Sequence, residues 1–199
     1  DMQKWNTELQ TKTEPFVRST MLAGGEEGLL SVAAEGQYDP LNPNIQKALD
    51  RRQGRIVNVV ATDRKNLRKA LNEGIEAGEG VTQLRKRIEA EYLHNDKYRS
   101  VVISRSETIW AWNEGAVQGY IQSGVVESKQ WITAADDRRC AWCKSMDKKI
   151  ISVEAQFFDK GGEPLVTEAG TMKFEYEDIG HLPLHPMCRC SIVPIISEI

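Results

Sequence analysis

Two short stretches near the end of the chain decide how its last third folds: residues 140–143 read CAWC, and residues 185–190 read HPMCRC. They contain all four cysteines of the 199-residue chain and one of its three histidines. Zinc accepts thiolate and imidazole ligands, and structural zinc sites use four of them with no open position. A two-residue spacing places two ligands on one tight turn. The stretches therefore predict the two halves of one tetrahedral Zn²⁺ site.

Five candidate donors compete for the four ligand positions of that site: Cys140, Cys143, His185, Cys188 and Cys190. Cys140 and Cys143 form the first half. His185 and Cys188 repeat the two-residue spacing and are the preferred second half, with Cys188 and Cys190 as the alternative. We prefer a structural to a catalytic metal, because nothing in the sequence indicates a position held open for water.

Disulfides or free thiols are the other interpretations of the four cysteines. Disulfides need an oxidising compartment, and we find no signal peptide in this sequence to direct the chain to one.

The sequence before residue 125 is typical of helices. Residues 1–40 are predicted to form a helical arm, or a fragment of an upstream region, interrupted at Gly24-Gly25. Residues 41–124 are predicted to form a bundle of three or four antiparallel helices. That bundle begins at an N-cap, Asn42, and ends at Gly124.

Within the bundle, two positions are predicted to separate one helix from the next. Asp63 is a candidate N-cap for a second helix, and residues 94–96 (His-Asn-Asp) are a candidate turn before the longest one.

Residues 125–199 have a different pattern, with short β-type runs at 125–126, 130–133 and 150–151. Residues 172–177 alternate apolar and polar side chains, which predicts a half-buried strand, and Pro194 predicts an edge strand near the chain end. The core of this module is thin, so a structural metal would add needed stability. The predicted fold class is α+β: an antiparallel helical bundle, then a small β-rich module with a structural zinc site.

The net charge of −3 argues against a protein that coats nucleic acid generally. Residues 51–105 nevertheless carry 13 Lys/Arg and 7 Asp/Glu, a net charge of +6. Arg85, Lys86 and Arg87 form the densest basic group and are candidates for contact with DNA or a protein partner. The alternative is a solvated helix face. No apolar run reaches the length of a membrane span.

Asp136 and Arg138 precede the first cysteine pair and are expected to support the metal site rather than to bind the metal. Asp136 would accept backbone N–H groups of the turn, and Arg138 would bridge to a helix carboxylate such as Glu107. His181 with nearby Asp178 is a candidate acid–base pair. No complete catalytic constellation is evident, so we expect no enzymatic activity.

The order of these motifs resembles one known family. Ser104-Arg105-Ser106-Glu107 is followed by the run Asp-x-Arg-x-Cys-x2-Cys (136–143) and by His-Pro-x-Cys-Arg-Cys (185–190). This pattern is similar to the phage Mu F-like minor head proteins, also called the phage head morphogenesis domain, over roughly residues 44–195. The two Cys-containing segments are its most specific parts.

The resemblance implies a non-enzymatic virion or procapsid protein, present in the host cytoplasm during assembly. It implies association with the portal vertex, with portal, capsid and scaffold proteins as partners and viral DNA as a further one. Its roles would be procapsid assembly and DNA retention or delivery. Three alternatives remain open: a zinc-dependent nuclease or other hydrolase, a DNA-binding protein, and the delivery domain of a phage-borne toxin. The family-like domain would span residues 41–199, with 41–124 as its bundle and 125–199 as its Cys/His module.

Overall fold

The computed structural model describes the backbone of residues 2–196 and the side chains in that range other than 2–6, 9–10, 53–68, 71, 81, 85 and 87–100. Three long helices come first: α1 (Met2–Ser31), α2 (Pro43–Glu76) and α3 (Val81–Ser123). A smaller region follows, with one short helix and five strands: β1 (Val126–Ile132), α4 (Ala141–Met146), β2 (Ile150–Ser152), β3 (Leu165–Thr167), β4 (Gly170–Met172) and β5 (Ser191–Ile196). The predicted α+β class is confirmed.

The ends of the long helices follow from local sequence. The Asn42 side chain accepts a hydrogen bond from the Asn44 N–H (3.0 Å), and Pro43 occupies the first helical position, where its missing N–H leaves nothing unpaired. α3 ends at Gly124, whose φ of 69° lies in the left-handed region that glycine tolerates. The N-cap predicted at Asn42 and the helix end predicted at Gly124 are therefore both observed.

The predicted breaks inside the bundle are wrong. The backbone is helical through Asp63 and through residues 94–96, so two helices rather than three or four occupy residues 41–124. Neither segment contains glycine or proline. Polar residues such as Asn and Asp lower helix propensity by only a fraction of a kcal/mol, roughly 0.7 at most, which does not stop a long helix.

α1 runs through Gly24-Gly25 without interruption, contrary to the sequence prediction, because glycines hold it against α3. A Cβ on Gly28 would lie 2.8 Å from the Ala116 backbone oxygen, and one on Gly115 would meet the Met21 backbone oxygen. Gly24 and Gly119 make equally close approaches to the opposite helix. The glycines therefore let the two backbones touch, and α1 becomes part of the helical layer.

The module is built on a three-stranded antiparallel sheet in the order β2-β1-β5. Gln130 of the central strand pairs with Ile150 on one side and with Val193 on the other. β5 lies at an edge, where Pro194 is tolerated, as the sequence predicts. At the opposite end of the β1–β5 ladder, Ile132 pairs with Ser191, which brings the segment after β1 close to the segment before β5.

β3 and β4 form a separate hairpin, and the strand predicted over residues 172–177 ends at Met172. Phe174 is buried as its alternating pattern suggests, but it leaves the hairpin and stacks on Phe158 with ring centroids 4.1 Å apart. Its carbonyl oxygen accepts the Gly161 N–H (2.8 Å), a loop contact rather than a strand ladder.

One hydrophobic core crosses the predicted boundary at residues 124/125. Val117 and Tyr120 of α3 belong to the same buried cluster as Trp131, Leu182 and Ile192 of the module. A second cluster lies between α1, α2 and α3. The division into residues 1–40, 41–124 and 125–199 stays a prediction, while the described packing joins all three segments. Among the described residues, no helix is long and apolar enough to cross a bilayer.

Candidate metal centre

The sheet and a short helix bring the two Cys/His stretches together. Cys140 is the N-cap of α4, where its Sγ accepts the Cys143 N–H at 3.4 Å, and Cys143 lies in the first turn. Cys188 and Cys190 lie directly before β5, whose pairing with β1 fixes their position. The donors that contact one another across the two stretches are 42–45 residues apart in the chain.

All five predicted donors lie in this cluster. His185 Nε2 is 3.1 Å from Cys140 Sγ and 3.1 Å from Cys143 Sγ, and Cys143 Sγ is 3.8 Å from Cys188 Sγ. The donors form two groups, each with all its donor atoms within 4.8 Å of one another: Cys140, Cys143 and His185, and Cys143, Cys188 and Cys190. Cys143 belongs to both groups and is therefore the centre of the cluster.

The donor chemistry and spacing fit a zinc ion. Tetrahedral zinc, with zinc–sulfur distances of about 2.3 Å, separates two sulfur ligands by about 3.8 Å and a sulfur from a nitrogen ligand by about 3.6 Å. The Cys143–Cys188 separation of 3.8 Å matches this geometry. The two nitrogen–sulfur distances of 3.1 Å would need to widen by about half an ångström. The four cysteines are free thiols.

The thiols influence one another's ionisation. Hydrogen bonding from Cys143 lowers the pKa of Cys188 far below its usual value, and further hydrogen bonds come from Cys190, including its backbone N–H. Hydrogen bonding with Cys188 and with Cys190 raises the pKa of Cys143, and desolvation by burial raises it further. Several neighbouring thiolates would require a cation to balance their charge.

An arginine–carboxylate pair ties the loop before Cys140 to the loop that carries the second stretch. Arg189 Nη2 donates to Asp136 Oδ1 (2.7 Å), and Arg189 Nη1 donates to Asp136 Oδ2. Asp136 Oδ1 also accepts the Arg138 N–H (3.0 Å), the type of contact expected of Asp136 from sequence. Arg189 holds the pKa of Asp136 at about 2. Arg189 was not among the residues predicted to support the site, although its place between two cysteines was a usable signal.

The expected bridge from Arg138 to Glu107 is wrong. The Arg138 guanidinium is 82% exposed and lies 3.7 Å from Asp136, whereas Glu107 accepts a hydrogen bond from Arg52 of α2. Arg52 is only 2% exposed and also donates to Thr13 Oγ1 of α1 at 2.7 Å. Arg52 of α2 therefore links Glu107 of α3 and Thr13 of α1. The supporting role of Asp136 and Arg138 around a metal stays a prediction.

His181 pairs with Glu114 rather than with Asp178. His181 Nε2 is 2.7 Å from Glu114 Oε2, and the two side chains are 9% and 3% exposed. Burial raises the pKa of Glu114, but hydrogen bonding and charge from His181 outweigh it, so the pKa is lowered overall. Asp178 instead accepts the Lys160 N–H (2.7 Å). The sequence signal for this pair was Glu114 itself, the one charged residue between positions 108 and 123.

Of the three basic residues predicted to contact DNA or a partner, Lys86 is exposed on α3. The side chains of Arg85 and Arg87 lie outside the described residues. Contact between this basic group and DNA or protein stays a prediction.

No curated protein and no solved structure matches the chain. The model of the family described as "Phage Mu protein F like protein" matches residues 65–193, which is more than half of the chain and includes both Cys/His stretches. The resemblance drawn from the two Cys-containing motifs is confirmed, and the chain belongs to the phage Mu protein F-like family.

Proposed function

We propose that this protein is a non-enzymatic minor head protein that acts in phage head morphogenesis at the portal vertex. Its partners would be the portal, capsid and scaffold proteins, and viral DNA during retention or delivery. The observation that carries the proposal is the family match over residues 65–193. The fold supports a structural role, because α1, α2 and the module all pack on α3 through buried residues.

We further propose that the cluster is a structural Zn²⁺ site bound by Cys140, Cys143, His185 and Cys188. Three short distances connect the donor atoms of these four residues. His185 Nε2 lies 3.1 Å from both Cys140 Sγ and Cys143 Sγ, and Cys143 Sγ lies 3.8 Å from Cys188 Sγ. Four sulfur and nitrogen ligands leave no position for a water molecule, which favours a structural over a hydrolytic role. A zinc ion bound here would cross-link α4 to the loop before β5. Cys190 would remain as a neighbouring thiol.

The zinc assignment is tested by metal analysis of the purified chain with inductively coupled plasma mass spectrometry. We expect one zinc per chain, and less than about half an equivalent would contradict a site whose binding energy is of the order of 10 kcal/mol. Cys140→Ser should remove the zinc and disorder the module, while circular dichroism shows that the long helices remain. Cys190→Ser is the matched control and should keep the metal. If Cys190→Ser loses zinc and His185→Ala keeps it, the ligand set contains Cys190 instead.

The head-protein assignment is tested in assembled particles. Quantitative mass spectrometry of procapsids and virions of the phage that encodes this chain should detect it in a few copies, and it should co-purify with the tagged portal protein. Its absence from both preparations would contradict the proposal. A metal-dependent nuclease activity lost in Asp136→Ala or His181→Ala would support the hydrolase alternative instead.

A further inference from the structure

A polar cavity of about 370 Å³ lies where α2, α3 and β1 meet residues 153–156 and 177–183 of the module. None of the five candidate metal donors lines it, so it is separate from the metal centre. The Glu114–His181 pair forms part of its wall. The carboxylate of Glu114 is already engaged by His181 and by Arg51, whose Nη2 lies 3.5 Å away.

Among the residues that the structure describes, one buried acceptor in the cavity wall has no hydrogen-bond donor. Gln118 is 6% exposed, and its Nε2 donates to Glu114 Oε1 at 2.9 Å. That contact fixes the amide and leaves the opposite oxygen, Oε1, buried with no hydrogen-bond partner among the described residues. Buried polar atoms are nearly always paired, so an unpaired oxygen beside a cavity indicates a site for an N–H or O–H group.

A buried ammonium group lines the same cavity. Lys129 of β1 is 2% exposed, and its Nζ donates to the Val153 carbonyl oxygen at 2.8 Å. An ammonium has three donors, so two remain after this contact. Among the described residues, no carboxylate lies within ion-pair distance of Nζ. Burial lowers the pKa of Lys129 to about 8, and the Glu114 carboxylate acts in the opposite direction.

The other charges around the cavity narrow the class of ligand. Lys47 and Arg51, one helical turn apart on α2, add two cations to the wall. Besides Glu114, which His181 and Arg51 engage, three further acidic residues line it: Glu154, Glu177 and Asp178. A polyphosphate or a DNA backbone would be repelled by these three acidic residues. A single carboxylate meets less of that repulsion than a polyphosphate does. It matches the Lys129 ammonium, which lies 5.9 Å from the centroid of the Phe157 ring and has no carboxylate partner among the described residues. It also matches the Arg51 guanidinium, which Glu114 engages at 3.5 Å.

We propose that this cavity binds a carboxylate together with a neighbouring N–H donor, the combination that an Asp or Glu residue of an extended partner peptide presents. The carboxylate would pair with Lys129 and Arg51, and a peptide N–H would donate to Gln118 Oε1. That the peptide belongs to another head protein rests on the proposed function. The binding of a carboxylate in the cavity does not depend on the proposed function. The result of the peptide titration is therefore independent of the result of the particle analysis.

The test is a nuclear magnetic resonance titration of the full chain with acetyl-Gly-Asp-Gly-amide, using the Asn peptide and inorganic phosphate as comparisons. We expect the Gln118 amide and the indole of Trp110, which also lines the cavity, to shift. The Asp peptide should bind about tenfold more tightly than the Asn peptide, the ratio expected for one charge-assisted contact. Lys129→Met should abolish that preference, and Gln118→Leu should weaken both peptides.

Lys173→Met is the matched control, because Lys173 is exposed and lies outside the cavity. It should leave both affinities unchanged. If Lys129→Met does not fold, Arg51→Gln, at a half-exposed position on α2, provides the same readout. Equal binding of the two peptides, or no shift at about 10 mM peptide, overturns the proposal. Phosphate that binds as tightly as the Asp peptide would identify a general anion site instead.

Discussion

The glycine contact between α1 and α3 predicts that Gly115→Ala lowers the free energy of unfolding, although alanine is the better helix former. In Gly115→Ala, the added Cβ would meet the Met21 backbone oxygen, lie 2.9 Å from the Met21 carbonyl carbon and lie 3.0 Å from the Gly25 nitrogen. These are backbone atoms of α1, so no side chain can move aside, and α1 must shift away from α3. Overpacking of this kind costs about 2–3 kcal/mol. Helix propensity acts in the opposite direction, since alanine in a helix is favoured over glycine by about 1 kcal/mol.

The net expectation for Gly115→Ala is a loss of about 1–2 kcal/mol in the free energy of unfolding. For a chain of this length, that loss lowers the melting temperature by about 3–6 °C. Urea unfolding followed by circular dichroism, with calorimetry for the melting temperature, measures both. Ser104→Ala is the control, because it improves helix propensity at an exposed position of α3 outside the interface. A Gly115→Ala protein as stable as the parent would refute the close approach of the two helices.

Three further predictions concern the charged groups and the metal. Glu114→Gln leaves His181 in a nearly buried position without its carboxylate, and urea unfolding should show a loss of about 2–4 kcal/mol, whereas no change would mean that the pair contributes nothing. Arg189 holds the pKa of Asp136 at about 2, below its unfolded value of about 3.9, so the contribution of this pair to stability is complete above about pH 4 and lost as the pH falls towards 2. The difference in unfolding free energy between the parent and Asp136→Asn should therefore shrink on acidification from pH 5, and a constant difference would contradict this cause. A strong zinc chelator at neutral pH should lower the melting temperature of the parent but not that of Cys143→Ser; equal effects on both would argue against a bound metal.

The sequence was informative where local chemistry decides structure. Asn42, Pro43 and Gly124 set helix ends through their own backbone preferences, and the two-residue spacing of Cys140 and Cys143 needs only one helical turn. These features depend on a few neighbouring residues. They could therefore be predicted without knowledge of the packing.

Features that depend on distant residues were not predictable in the same way. Gly24 and Gly25 look like a helix break until α3 lies against them, and the partner of Glu107 is Arg52, 55 residues earlier in the chain. Likewise, the pairing of His181 with Glu114 spans 67 residues and requires the module to pack on α3. The candidate site shows the same division: its donors were identified from spacing, but the contact of Arg189 with Asp136 follows from the β1–β5 register.

The position of α3 has a consequence for the order in which the chain folds. α1 packs on α3 although the contacting residues are roughly ninety positions apart in the chain. β1 can pair with β5 only after the chain has closed a loop of about sixty residues. Helical segments form in microseconds or less, whereas long-range strand pairing is slow. We therefore expect α2 and α3 to form an early hairpin on which α1 and the module later assemble. Substitutions in α3 that face either neighbour should slow folding, and substitutions in the β3–β4 hairpin should mainly accelerate unfolding.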